Sequence, residues 1–170
     1  MVVLGSHDSA FLTTGIAEDT LTGDGGEGDA AGKAVAIART AGTRLVVGAP
    51  NDDSGGLDAG AVYVYRETSG GWGSPEKIIS PTPAANAFFG SAVAMDASGS
   101  RFVVGAYGHG GSERGGAWVY DCVPACDGTA VALVDPGNQE GDQFGFTVAI
   151  SDDGTVIAVA ATKDDNIGTE

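Results

Sequence analysis

The chain has 170 residues, 23 acidic and 8 basic, for a formal net charge of −15 at neutral pH. A surface this negative repels polyanions, which argues against nucleic acid or an anionic membrane as partner. Its 42% apolar content excludes a disordered polymer, and its longest unbroken apolar run, residues 156–161, falls far short of the roughly 20 residues of a spanning helix, so no membrane insertion of this segment is expected.

The apolar residues come in short runs bounded by Gly, Asp, Asn, Ser and Pro. None keeps helical spacing for three turns, so strands and turns are predicted throughout. At the amino end, VVLGS (residues 2–6) reads as a second strand without its first, Gly5 standing where Gly48 and Gly105 stand later. Residues 10–19 then hold a shrunken third strand or a loop, and Leu21 marks a fourth strand. Asp24, Gly25, Gly26, Glu27, Gly28 and Asp29 are read as turn residues whose side chains accept backbone N–H bonds, as are Glu140, Gly141 and Asp142. From Gly32 a full unit runs: a first strand over 34–38, a tight turn over 40–43 with Gly42 at positive φ, and a second strand over 44–48. A polar loop over 51–58, a third strand GAVYVY (60–65), a turn over 66–72 and a weaker fourth strand around 77–80 complete it.

The next unit repeats this order with VVGAY (103–107), GGAWVY (115–120) and Leu133, and a last one starts at Phe144. FGSAVAMDASGSRFVVGAY (89–107) aligns with FGFTVAISDDGTVIAVAAT (144–162) without a gap at an offset of 55, and residues 31–50 join with one inserted residue. A period in the fifties means one supersecondary unit per repeat, each burying its apolar face on its neighbours. Four strands per unit describe a propeller blade. The expectation is an all-β partial β-propeller of about three four-stranded antiparallel blades, its ring not closed within this chain. Its predicted divisions are 1–31 (end of a degenerate blade), 32–88, 89–143 and 144–170 (start of a further blade). Both ends fall inside a unit, so the chain reads as an excerpt, and the remaining blades or self-association through open edges are the expected partners.

These residues, FG followed by a first strand, VVGAP or VVGAY, and GAVYVY, resemble the FG-GAP repeat, the blade of integrin alpha-chain propellers and of many bacterial and algal surface proteins. The resemblance covers residues 20–170. It implies a seven-bladed propeller in an intact protein, secreted or displayed on the cell surface and working in adhesion or recognition. Many members hold calcium between the first two strands in a loop resembling D-x-D-x-D-G-x-x-D, since a hard cation needs a cluster of oxygens. The corresponding turns here, at Gly42, Asp96 to Gly99 and Asp152 to Gly154, are too short and carry two carboxylates at most, so the calcium site is not carried over and no cofactor is expected.

Cys122 and Cys126 flank the turn after the third strand and are expected to form a disulfide, which would place the chain in an oxidising compartment. Two free thiols are the alternative, and a metal site would need two more ligands. Asp52, Asp53 and Asp58 are the weak candidates for a cation in an otherwise solvated loop. The loops over 51–58 and 108–114 vary while the strands repeat, which suits recognition. His7 and His109 read as surface-loop histidines, and Ser6, Ser91 and Ser112 lack a nucleophile-elbow context, so no catalytic residue is assigned. Tyr63 and Trp118, and Tyr65 and Tyr120, share sites expected to pack between blades, while Gly48 and Gly105 let blades approach. The preferred function is a non-enzymatic recognition or adhesion segment with a protein or glycan ligand. A purely architectural spacer, or a propeller accompanying a catalytic domain elsewhere, are the alternatives.

Overall fold

The computed structural model describes residues 2–4, 9–14, 17–22, 26–40, 42–69, 71–122, 126, 129–137 and 139–163. Gly5, Ser6, His7, Asp24 and Gly25 lie outside them. All regular structure among the described residues is strand. β1 (Val2–Leu4), β2 (Ser9–Thr14) and β3 (Ala17–Thr22) form an antiparallel meander, so the stretch left open between strand and loop is a strand hairpin. β4 (Ala34–Ala38), β5 (Arg44–Ala49), β6 (Ala61–Thr68) and β8 (Glu76–Ile79) pair antiparallel in chain order, and the two-residue β7 (Gly71–Trp72) folds back on the end of β6. β9 (Ala92–Met95), β10 (Arg101–Ala106), β11 (Gly116–Asp121) and β12 (Ala130–Leu133) repeat that sheet, and β13 (Phe144–Ile150) pairs with β14 (Ile157–Ala161). Gly42, Gly99 and Gly154, one in each first hairpin, all take the left-handed conformation, with φ of 105°, 71° and 70°.

The period-2 alternation decides how the sheets stack. On the β4–β8 sheet, Leu45, Val47, Tyr63 and Tyr65 share one face, while Val46, Val62, Val64 and Ile78 share the other. The second face meets Phe102, Val104, Trp118 and Tyr120 of the next sheet, enclosing Phe89 in a common core. Within it Phe102 and Tyr120 stack at 4.9 Å between centroids, and Phe89 meets Trp118 edge-on at 5.6 Å, contacts worth about 0.5–1.5 kcal/mol each beyond the area they bury. On the far side of the second sheet, Val103 and Ala117 pack on Phe144 and Val148. Successive first strands β4, β9 and β13 touch, and the fourth strands lie at the opposite sheet edges. The result is an all-β partial propeller whose sheets stack as wedges.

Three repeated devices hold one sheet on the next. A Cβ on Gly48 would overlap the carbonyl oxygen of Gly90, and one on Gly105 the carbonyl oxygen of Gly145. Glycine is demanded there by the neighbouring backbone. Beside this contact, short parallel bridges join Gly60 to Phe89 and Gly115 to Phe144. They continue into the loops as Phe88 N–H to Asp58 O (3.1 Å) and Gln143 N–H to Glu113 O (2.9 Å). These bonds hold Asp58, Glu113, Phe88 and Gln143 at φ between 51° and 56°, each at a cost of about 1–2 kcal/mol for a residue with a Cβ. Finally, the Arg44 guanidinium donates to the carbonyl of Gly99 and that of Arg101 to the carbonyl of Gly154 (2.9 Å), each reaching from a second strand into the first hairpin of the following sheet.

Cys122 and Cys126 are joined in a disulfide, and both are fully buried in the core between the first two sheets. The bridge closes the turn between β11 and β12 onto that core, where Cys122 N–H also donates to Ser100 O at 2.7 Å.

The glycine contacts give a direct test. Gly105→Ala should force the β13–β14 hairpin off the second sheet and cost about 1–3 kcal/mol, a fall of several degrees in thermal midpoint by circular dichroism. Asp152→Ala, on the same exposed hairpin but with a carboxylate that bonds to none of the described residues, should leave the midpoint within about a degree.

Candidate functional site

The strand order places two kinds of loop on each rim. One rim carries the hairpins between first and second strands and the turns between third and fourth. The other carries the 51–59 and 108–114 loops together with the connections into the next unit, residues 80–88 and 134–143. The first rim is closed on itself: Thr40 N–H donates to Ala97 O (3.3 Å) and Ala97 N–H to Asp152 O (3.0 Å), so successive hairpins are bonded one to the next. Two of its carboxylates, Asp96 and Asp153, are engaged as well. Burial would raise the Asp96 carboxyl, but donors from Ser98 (2.7 Å), the Arg101 backbone (3.1 Å) and Ser100 (2.9 Å) outweigh it and hold the group below its ordinary range. Asp153 is bonded by Ser151 and Thr155 and is lowered to about 2.

On the second rim the structure disperses the three aspartates considered for a cation. Asp52 turns inward and is buried, accepting from Lys77 Nζ (2.7 Å), the Tyr63 hydroxyl (2.9 Å) and the Ser54 backbone (2.9 Å). Burial pushes its carboxyl up, yet the Lys77, Ser54 and Tyr63 bonds prevail and hold it below the usual carboxylate value. Asp53 instead accepts the backbone N–H of Asp58 (2.8 Å), shaping the loop. Among the described residues no group of three or more His, Cys, Asp or Glu side chains is gathered as a metal site would need. The acidic turns ahead of the first strands do what their residue types suggested: Asp29 accepts from Gly26 N–H (2.7 Å) and Asp142 from Gln139 N–H (2.9 Å).

The same rim also carries an apolar row. Phe88 stacks on Tyr107 at 5.0 Å, and Tyr107 leans on Phe146 at 5.6 Å, forming a row of three rings across the boundary between two units. Phe146 is 45% exposed. Beside the row, His109 corrects its expected place as a solvated loop residue. Its ring is half-buried, edge-on to Trp118 at 4.9 Å, and this burial lowers its pKa. The offset that pairs Gly48 with Gly105 pairs Asp52 with His109, so the two are equivalent positions of the repeat, and both turn inward. Trp118 and His109 help line a cleft of about 260 Å³ with Thr82, Ala132, Asp135 and Phe144.

A family model described as the FG-GAP repeat matches residues 19–65 and again 72–120, together more than half of the chain. The chain belongs to the FG-GAP repeat family. The two halves of that name meet here, Gly90 of the Phe-Gly pair of one unit packing on Gly48 of the Gly-Ala-Pro stretch of the unit before. No curated protein matches the chain. In this FG-GAP array the first hairpins of the second and third units are held by serine, threonine and backbone donors to Asp96 and Asp153.

The Asp52 cluster makes a pH test. Its folded pKa lies below its unfolded value of about 3.9, so the stabilisation is fully present above that pH and is lost as pH falls through the lower, folded value. Asp52→Asn should lower stability at pH 7 by about 1–3 kcal/mol and flatten the fall in thermal midpoint between about pH 5 and pH 2 relative to the parent. Parallel acid limbs in the two proteins would show that Asp52 does not carry the effect.

Proposed function

We propose that this FG-GAP array is a non-enzymatic recognition segment, of the adhesion type, in a secreted or surface-displayed protein, binding a protein or glycan through the rim of Phe88, Tyr107 and Phe146. The observation that carries the reading is that these three rings do not repeat. Phe88 stands where other units have Ala30 and Gln143, Tyr107 where they have Pro50 and Thr162, and Phe146 where they have Lys33 and Ser91. Residues the fold needs recur at each unit, so an aromatic row present at a single boundary answers another demand. Adjacent rings, Phe146 exposed and Phe88 and Tyr107 half-buried, offer a ligand apolar area at low entropic cost.

The disulfide supports an oxidising compartment. Against catalysis by these residues, the buried carboxylates Asp52 and Asp96 are saturated by donors and remain ionised, which suits structural duty better than proton transfer. Exposed Val35 and Ile37 on β4 favour docking of remaining blades or of a second copy on that face.

An array of immobilised glycans and secreted proteins, probed with the 170-residue chain and two variants, tests the reading. Binding should be retained by Asp153→Ala on the closed rim and lost, by about tenfold or more, in Tyr107→Ser/Phe146→Ser. Binding that ignores the aromatic pair, or none at all, would overturn it.

A further inference from the structure

The internal repeat allows the cleft beside Trp118 to be compared with the same place one unit earlier. There, Tyr63 lies opposite Lys77 in the β6–β8 pairing. The lysine stem crosses the tyrosine, its ammonium 5.4 Å from the ring centroid, and ends between Asp52 Oδ2 and Ser54 Oγ, each at 2.7 Å. The position is thus a built cation site, with an aromatic ring below, a buried carboxylate beside it and the cation supplied by the chain itself.

In the second unit the same register sets Trp118 opposite Ala132. Tryptophan, the stronger cation–π ring, has replaced tyrosine, and the lysine has been cut back to a methyl. His109 occupies the place of Asp52. The space left over the indole is the 260 Å³ cleft, and two polar atoms there are buried without a partner: Nδ1 of His109 and Oδ2 of Asp135. Asp135 Oδ1 is already taken by the Gly137 N–H at 3.0 Å, so its second oxygen is free to accept from a guest. Arg114, the nearest cation along the chain, pairs with Glu140 at 3.3 Å.

We propose that this cleft receives an alkylammonium group, the head of a lysine side chain or of a free amine, seated over Trp118 with Asp135 as its counter-charge. The guest takes the place that Lys77 fills in the preceding unit. Burial lowers the pKa of His109, so its ring is neutral at neutral pH and offers Nδ1 without repelling the cation. A net charge of −15 draws cations to the protein from a distance. The proposal rests on the reading of this rim as a binding face, but it uses residues separate from the aromatic row.

The test is a titration of the ¹⁵N-labelled 170-residue chain, followed at the Trp118 indole N–H, with n-butylammonium, n-butanol as its neutral counterpart, and a short peptide bearing one lysine. Butylammonium should give saturable shifts centred on Trp118 and Ala132, and n-butanol should not. Asp135→Asn should weaken binding about tenfold. Ala132→Lys, which rebuilds the arrangement of the first unit, should abolish binding while the rest of the spectrum persists. A peptide that binds at least about tenfold tighter than butylammonium identifies a protein lysine as the guest, and equal or weaker binding identifies a free amine. Absence of saturation, an equal response to n-butanol, or undiminished binding by Ala132→Lys overturns the proposal. Any of these, with array binding through Tyr107 and Phe146 intact, leaves the recognition reading standing.

Discussion

A carbonyl oxygen and a Cβ cannot share one place, and that exclusion sets how closely the units of this chain stack. At Gly48 against Gly90, and again at Gly105 against Gly145, backbone meets backbone with no side chain between. The approach brings the start of each first strand near enough to bridge the preceding third strand, at Gly60 to Phe89 and Gly115 to Phe144. Phe89 is thereby drawn into the core between the first two sheets, where Trp118, Tyr120 and Phe102 close around it. The left-handed residues Asp58 and Phe88, and Glu113 and Gln143, are the cost of turning the chain into this contact, and the bonds they make to each other offset it.

The same contact divides the two rims by function. On one, hairpins stacked by the close approach bond to each other, and Arg44 and Arg101 reach across the boundaries, leaving those carbonyls engaged. On the other, the connecting loops are bonded through their backbones at both boundaries, and side-chain links such as Gln143 and Lys163 to Glu113 are added at one of them. Variation is tolerated where backbone atoms carry the join. That is why Asp52 with Lys77 in one unit can become His109 with Ala132 in the next while the sheets keep their register.

The strands, their antiparallel order and the hairpin glycines were legible because each is written locally: period-2 apolar runs, bounded by residues that accept positive φ. The repeat also marked Gly48 and Gly105, and Tyr63 and Trp118, as residues answering to neighbouring sheets. The inward turn of Asp52 was not legible, since an aspartate in a run of Asp, Ser and Gly looks solvated until Lys77 and Tyr63 are brought over it from 25 and 11 residues away. His109 was misplaced for the same reason: the burial of a loop side chain depends on which ring lies under the loop. β7, two residues long, left no periodicity to read. The arginine links were present in the alignment as a repeated residue, yet their acceptors, Gly99 and Gly154, lie more than 50 residues on, and a carbonyl leaves no mark in a sequence.

The third unit shows how far the glycine rule reaches. Ala160 stands in the register of Gly105, paired with Thr147 as Gly105 is with Ala92. It carries the methyl that Gly48 and Gly105 must lack, and it is exposed where they are buried. A unit approaching this hairpin as the second and third approach their predecessors would bring a glycine carbonyl onto that methyl. The close stacking seen twice therefore cannot be repeated here at the same distance, and whatever covers this face must sit farther out or enter along another line. One methyl group thus separates a surface that accepts the next FG turn from one that refuses it, although the strands beneath are nearly identical in pattern.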